Sequence, residues 1–203
     1  MYLPMIRFLL FGLCLTAFVA ESQTVYSTGD LKNGKFKSDS SYVYTLPFEH
    51  RKKVFLIQGY ESMFSHKGEK ALDFKVKTGT RVCAARGGIV TATRSDSDKR
   101  GLKPENLSDG NYIFIRHDDG TEANYWHFKL NGVFVKTGDT VVPGQLIGLS
   151  GNTGYSAFPH LHFEVRGKDP ATGKFGQLAT RFATRNGVIY LRPGKFYRTI
   201  HPE

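Results

Sequence analysis

The 203 residues are expected to fold as a mostly β protein, and three observations carry that expectation. The chain holds 22 glycines among many Thr, Tyr, Phe and Val residues, a composition suited to short strands and tight turns. Its apolar segments are short, and Gly, Asp, Asn or Pro punctuates nearly every gap between them. No stretch sustains a helical period.

Taken in order, the first segment stands apart from that fold. MYLPMIR carries a single basic side chain and precedes FLLFGLCLTAFVA, an apolar run that is short for a bilayer span and suits a secretory signal peptide. Residues 1–22 are read as that signal, with cleavage after Ser22, or after Ala20 as the alternative. Export follows, to the periplasm or the exterior, with no stable membrane span once the signal is removed. Processing takes away Cys14 and leaves Cys83 alone, so no internal disulfide is expected. Residues 23–50 then form a polar, strand-rich lead.

From Arg51 the apolar spacing tightens. VFLIQGY, ALDFKV, RVCAARGGIVTAT, NYIFIRH, ANYWHFKL, TVVPGQLIGLSG and LHFEVRG each read as one or two strands. The most polar insertion, Arg94 to Asn111, reads as a long surface loop. KTGTRVCAARGGIV and KTGDTVVPGQLIG echo one another, which suggests two related hairpin units facing each other in a sandwich. VIYLRPGKFYRTI closes the chain as a further hairpin or extension. Residues 51–168 are accordingly taken as the main domain and 169–203 as a C-terminal β extension.

The formal net charge is +10. An exported basic chain is suited to anionic envelope polymers. Nucleic acid is not an expected partner, because the sequence has neither an Arg-rich helix nor a nucleic-acid motif. A monomer is expected.

Chemistry is concentrated in the histidines. In a strand, residues i and i+2 share a face. In FPHLHFEVRG that puts His160, His162 and Glu164 on one side and Leu161, Phe163 and Val165 on the other. Alone, the imidazole pair is as compatible with a solvated face as with a metal. Tyr125-Trp126-His127 repeats the alternation, with Tyr125 and His127 on one side. His66 is followed by Asp73, an acid set between Leu and Phe, where it needs a partner. A catalytic zinc takes three N/O ligands and keeps an open position. His66, Asp73, His127, His160 and His162 can supply three ligands and two proton-handling groups, which is the equipment for metal-assisted hydrolysis. Spacing does not say which three bind. His50, His117 and His201 lack comparable context.

HKGEKALDF, YWH and GNTGYSAFPHLHFEV resemble the three motifs of the lysostaphin/LytM-type zinc metallopeptidases, over roughly Gln58 to Gly167. The resemblance implies a β-sandwich of the duplicated-hybrid-motif type with an open groove over the metal. It implies one Zn2+ per chain, held by His66, Asp73 and His162, with His127 and His160 as the catalytic histidines. It further implies a secreted zinc metalloendopeptidase that hydrolyses peptide bonds in bacterial cell-wall peptidoglycan through a metal-activated water. His66 and Asp73 are spaced more widely than in the commonest family form and match an HxGxxxxLDF subset, with Glu69 as a nearer competitor for the metal. Glu164 would orient an imidazole. The alternative is a catalytically silent zinc-binding envelope protein that binds peptidoglycan or regulates a cell-wall hydrolase; the intact five-residue set counts against it. A carrier-type domain would need a lysine at a hairpin tip, and neither ARGG nor VPGQ has one.

Overall fold

The computed structural model describes residues 43–169 and 172–201, so the expected signal peptide and Cys14 lie outside it. In chain order the strands begin with β1 (Val43–Tyr44), β2 (Lys53–Gln58), β3 (Ala71–Lys75), β4 (Arg81–Cys83), β5 (Gly88–Arg94) and β6 (Arg100–Gly101). After a 3-10 helix at Pro104–Asp109 come β7 (Tyr112–Arg116), β8 (Glu122–Trp126), β9 (Phe128–Val133), β10 (Thr140–Val141), β11 (Leu146–Ser150) and β12 (Gly154–Tyr155). β13 (His160–Lys168), β14 (Phe175–Leu178), β15 (Arg181–Thr184), β16 (Gly187–Ile189) and β17 (Lys195–Arg198) complete the series.

The fold is mostly β, as expected, and is a sandwich. The large sheet runs β10-β5-β7-β8-β13-β3-β2-β17, with β14 also paired to β13. A smaller sheet runs β4-β11-β9. Phe74, Ile113, Ile115, Tyr125, Leu161 and Phe163 of the large sheet join Val82, Phe128 and Ile147 of the small one in a single buried cluster. Each such side chain contributes roughly 1.5–3 kcal/mol by leaving water. Among the described residues no helix is long and apolar enough to cross a membrane.

The two echoing segments do interlock, by exchanging partners. β4 pairs with β11 and β5 with β10, so each strand of one unit hydrogen-bonds to the other unit. The segment after Arg94 is more ordered than a plain surface loop. Within it β6 pairs with β12, and buried Asn111 donates to the carbonyls of Ser97 and Phe128. The tail is an extension and not a hairpin, because β17 joins the large sheet on β2 while β16 pairs with β15.

Candidate metal centre

β13 lies between β3 and β8, and Leu161, Phe163 and Val165 enter the core on one face, as its period of two predicts. His160, His162 and Glu164 take the opposite face. His162 stands directly across from Asp73 on β3. Opposed residues of an antiparallel pair share a face, so the carboxylate and the imidazole meet there, with His162 Nδ1 3.0 Å from Asp73 Oδ1. The bulge after Leu56 in β2 brings Gln58 level with the same aspartate.

His66 comes from the loop between β2 and β3, which folds back on itself. The Glu61 N–H donates to the Glu69 carbonyl, and the N–H of Gly68 donates to the Glu61 carboxylate. Gly68 has φ 79°, the left-handed conformation that glycine adopts without a Cβ clash. The buried His66 ring turns Nδ1 toward the carbonyls of Gly59 and Ala71, at 3.3 and 3.1 Å. A carbonyl can only accept, so Nδ1 carries the proton and Nε2 is left facing Asp73 Oδ2 at 3.2 Å.

His127 arrives by a different route from the expected one. Alternation put it on the side of Tyr125, but Tyr125 is fully buried in the core, where its hydroxyl accepts the Ala85 N–H at 2.9 Å. β8 ends at Trp126, and His127 has φ 70°. That left-handed residue breaks the period of two and turns the imidazole to the His162 face. There its Nδ1–H donates to the Thr153 carbonyl at 2.6 Å, leaving Nε2 as an acceptor. Thr153 is itself pinned through its hydroxyl to Phe128 and Asn111, which gives the GNTG segment its structural purpose. His160 repeats the arrangement, with Nδ1 donating to the Phe158 carbonyl at 2.8 Å and Nε2 3.6 Å from Asp73 Oδ1.

The five predicted residues therefore converge. Donor atoms of His66, Asp73 and His162 all lie within 4.8 Å of one another, and those of His127, His160 and His162 form a second such group. The chemistry of the first set fits a metal. The lone pair of His66 Nε2 points at a carboxylate oxygen, an arrangement that requires a cation between them, either a proton or a metal ion. The separations of 3.0 and 3.2 Å also suit ligands sharing one ion, since a tetrahedral edge is about 3.3 Å for bonds of roughly 2.0–2.1 Å. Glu69 belongs to neither group among the described residues. The His162 side chain is 18% exposed against 3% and 4% for His66 and Asp73, so the set opens to solvent on its side.

The electrostatics follow from burial and from Asp73. Burial opposes ionisation of Asp73, yet hydrogen bonds from His162 and His66 and the surrounding imidazoles hold its carboxyl well below the usual range. Burial likewise opposes charge on His66, but Asp73 outweighs it and raises the pKa above 6.5. Burial, reinforced by His160 and His162, pushes His127 down to about 3. His160 is lowered by burial, with Asp73 working in the opposite direction.

Two residues behave differently from expectation. Glu164 reaches no imidazole; it accepts from Asn124 at 3.2 Å, from Arg166 at 3.4 Å and from Gln177. Gln58, which sequence reasoning passed over, donates to Asp73 Oδ2 at 2.6 Å while its own oxygen accepts from Ser62 and Ser65. The available signal was a polar residue closing the apolar run VFLI.

Comparison with known proteins places this geometry in context. The Peptidase family M23 model matches residues 67–173, just over half of the chain, beginning immediately after His66. The chain is 40% identical over 98 residues to the peptidoglycan DD-endopeptidase ShyA of Vibrio cholerae, covering 47% of this chain and 20% of that protein. It is 33% identical over 141 residues to the glycyl-glycine endopeptidase ALE-1 of Staphylococcus capitis, covering 63% and 36% respectively. The structure of lysostaphin from Staphylococcus simulans aligns with 64% of this chain and 50% of that one, at 28% identity and a TM-score of 0.48. The chain thus spans well under half the length of these curated relatives.

Proposed function

Because the chain belongs to peptidase family M23, we propose that it is an exported zinc endopeptidase that hydrolyses peptide bonds of bacterial cell-wall peptidoglycan. The observation that carries this reading is the convergence of His66, Asp73 and His162 beside two imidazoles whose Nε2 atoms face the same space. Relatives named as peptidoglycan DD-endopeptidase and glycyl-glycine endopeptidase support the substrate class. The formal charge of +10 supports retention on anionic envelope polymers.

In this reading His66, Asp73 and His162 would hold the zinc, which would supply Lewis acidity to the scissile carbonyl and to a water. His160 Nε2 takes a proton from the attacking water. Asp73 Oδ1, 3.6 Å away, steadies the resulting imidazolium. That proton passes to the departing amine when the C–N bond breaks. His127 stays neutral, with Nδ1–H on Thr153, and its Nε2 accepts a hydrogen bond that orients the water.

The test is metal content and wall digestion measured together. Purified protein should carry about one zinc per chain and release new amino termini from isolated peptidoglycan. His162→Ala should lose both properties. His160→Ala should keep the metal and lose roughly a hundredfold or more in rate. Hydrolysis that survives complete chelation would overturn the reading, and zinc retention without any hydrolysis would favour the silent envelope protein.

A further inference from the structure

An apolar recess adjoins His160 on the face that carries Asp73. Lys75, the last residue of β3, stands opposite His160 in the β13 register, so its side chain shares that face. Ile57, Val76, Thr78, Phe158 and Pro159 line a cavity of about 490 Å3 together with Lys75 and Lys77. The cavity is tied to the site through Phe158. Its ring centroid lies 5.4 Å from that of His160, and its carbonyl accepts the His160 Nδ1–H. Lys75 and Lys77 are exposed, and among the described residues the ion-paired lysines are Lys70 and Lys103. Two unpaired ammonium groups beside an aliphatic and aromatic hollow suit a ligand that combines an apolar chain with a carboxylate.

Resting on the peptidase reading, we propose that this recess is a substrate subsite in which Lys75 binds a free carboxylate next to the bond cleaved. The cavity takes the aliphatic part of the same residue. The preferred substrate is then a wall peptide of the diaminopimelate type, whose side chain ends in a carboxylate, over an uncharged glycine bridge. Glycine would leave the hollow unfilled and both lysines without a counter-charge.

The proposal is tested with paired synthetic cross-linked stem peptides that differ only in whether the diaminopimelate carboxylate is free or amidated. The zinc-loaded protein should cleave the free form roughly fivefold better in kcat/KM, the size expected for one partly exposed charged contact. That preference should collapse toward one in Lys75→Gln and persist in Lys75→Arg, which keeps the charge. Binding of both peptides to His160→Ala, followed by fluorescence anisotropy, should show the same preference without turnover. Equal handling of the two forms by the unaltered protein, or a preference that survives Lys75→Gln, would overturn the subsite. A binding preference without hydrolysis of any wall substrate would uphold the subsite and overturn the peptidase reading instead.

Discussion

Asp73 faces three imidazoles at once, and its Oδ2 stays in place because the Gln58 amide grips it at 2.6 Å. Gln58 is in turn oriented by Ser62 and Ser65 of the loop that carries His66, so one amide links two of the three candidate ligands. Outer partners of this kind typically change metal affinity by about 10–100-fold. Gln58→Leu should therefore weaken zinc retention by at least about tenfold, read by competition with a chromogenic chelator. Unchanged affinity would mean that Asp73 is held by the backbone alone. At this scale the sequence was legible wherever a residue obeys its strand. His160 and His162 share a face because β13 keeps its period of two, and Asp73 betrayed itself as an acid among apolar neighbours. His127 was misdirected because φ 70° at one residue inverts the pattern, and nothing local encodes that turn. Gln58 was missed because its importance depends on pairing with a strand fifteen residues away in sequence.

Strands and turns were legible as short apolar runs between glycines, but their partners were not. The exchange of β4 and β5 for β11 and β10 is set by long-range register, which hairpin-like local sequence cannot express. The β7–β8 turn shows an element carrying its own electrostatic signature. His117 is buried there, donates from Nδ1 to the Gly87 carbonyl at 2.8 Å and packs edge-on against Tyr44. Its Nε2 is buried with no hydrogen-bond partner among the described residues. Burial thus lowers its pKa below 6.5 in the folded chain. A depressed histidine stabilises the fold above its unfolded pKa, and that stability is lost as pH falls, because the unfolded chain then binds the extra proton. Below about pH 6.5 stability falls until the folded chain also takes up the proton, with about 1.4 kcal/mol per pH unit as the upper limit of the slope. Denaturant unfolding of His117→Phe, which keeps a ring against Tyr44, should therefore show a shallower decline between pH 7 and pH 5 than the parent protein. Identical pH dependence in the two proteins would rule out His117 as the source.

Considered whole, the molecule is held together partly by residues that follow the matched family span. Leu178, Phe182, Tyr190 and Leu191 are buried, and the last three belong to the same core cluster as Leu161 and Phe163. β14 and β17 extend the large sheet on β13 and β2. The same segment braces the loop that presents His66: the Tyr60 hydroxyl donates to the Thr180 carbonyl and accepts the Thr180 N–H. The Lys70 N–H donates to Gln177 at 2.9 Å. Chain ending after Lys168 would lose four buried apolar side chains, worth roughly 6–12 kcal/mol by area bookkeeping. That is comparable to the whole stability of an ordinary domain, about 5–15 kcal/mol. A protein truncated at Lys168 should therefore fail to give a cooperative thermal transition by circular dichroism, and should bind zinc no more tightly than its unfolded chain. A milder cut, Tyr60→Phe, removes only the hydroxyl and leaves the Thr180 N–H unpaired, at a cost of about 1–3 kcal/mol. It should lower the melting temperature while the sheet stays intact. If the truncated chain instead melted cooperatively and held zinc as the full chain does, the strands after Lys168 would be an addition to a fold already complete without them.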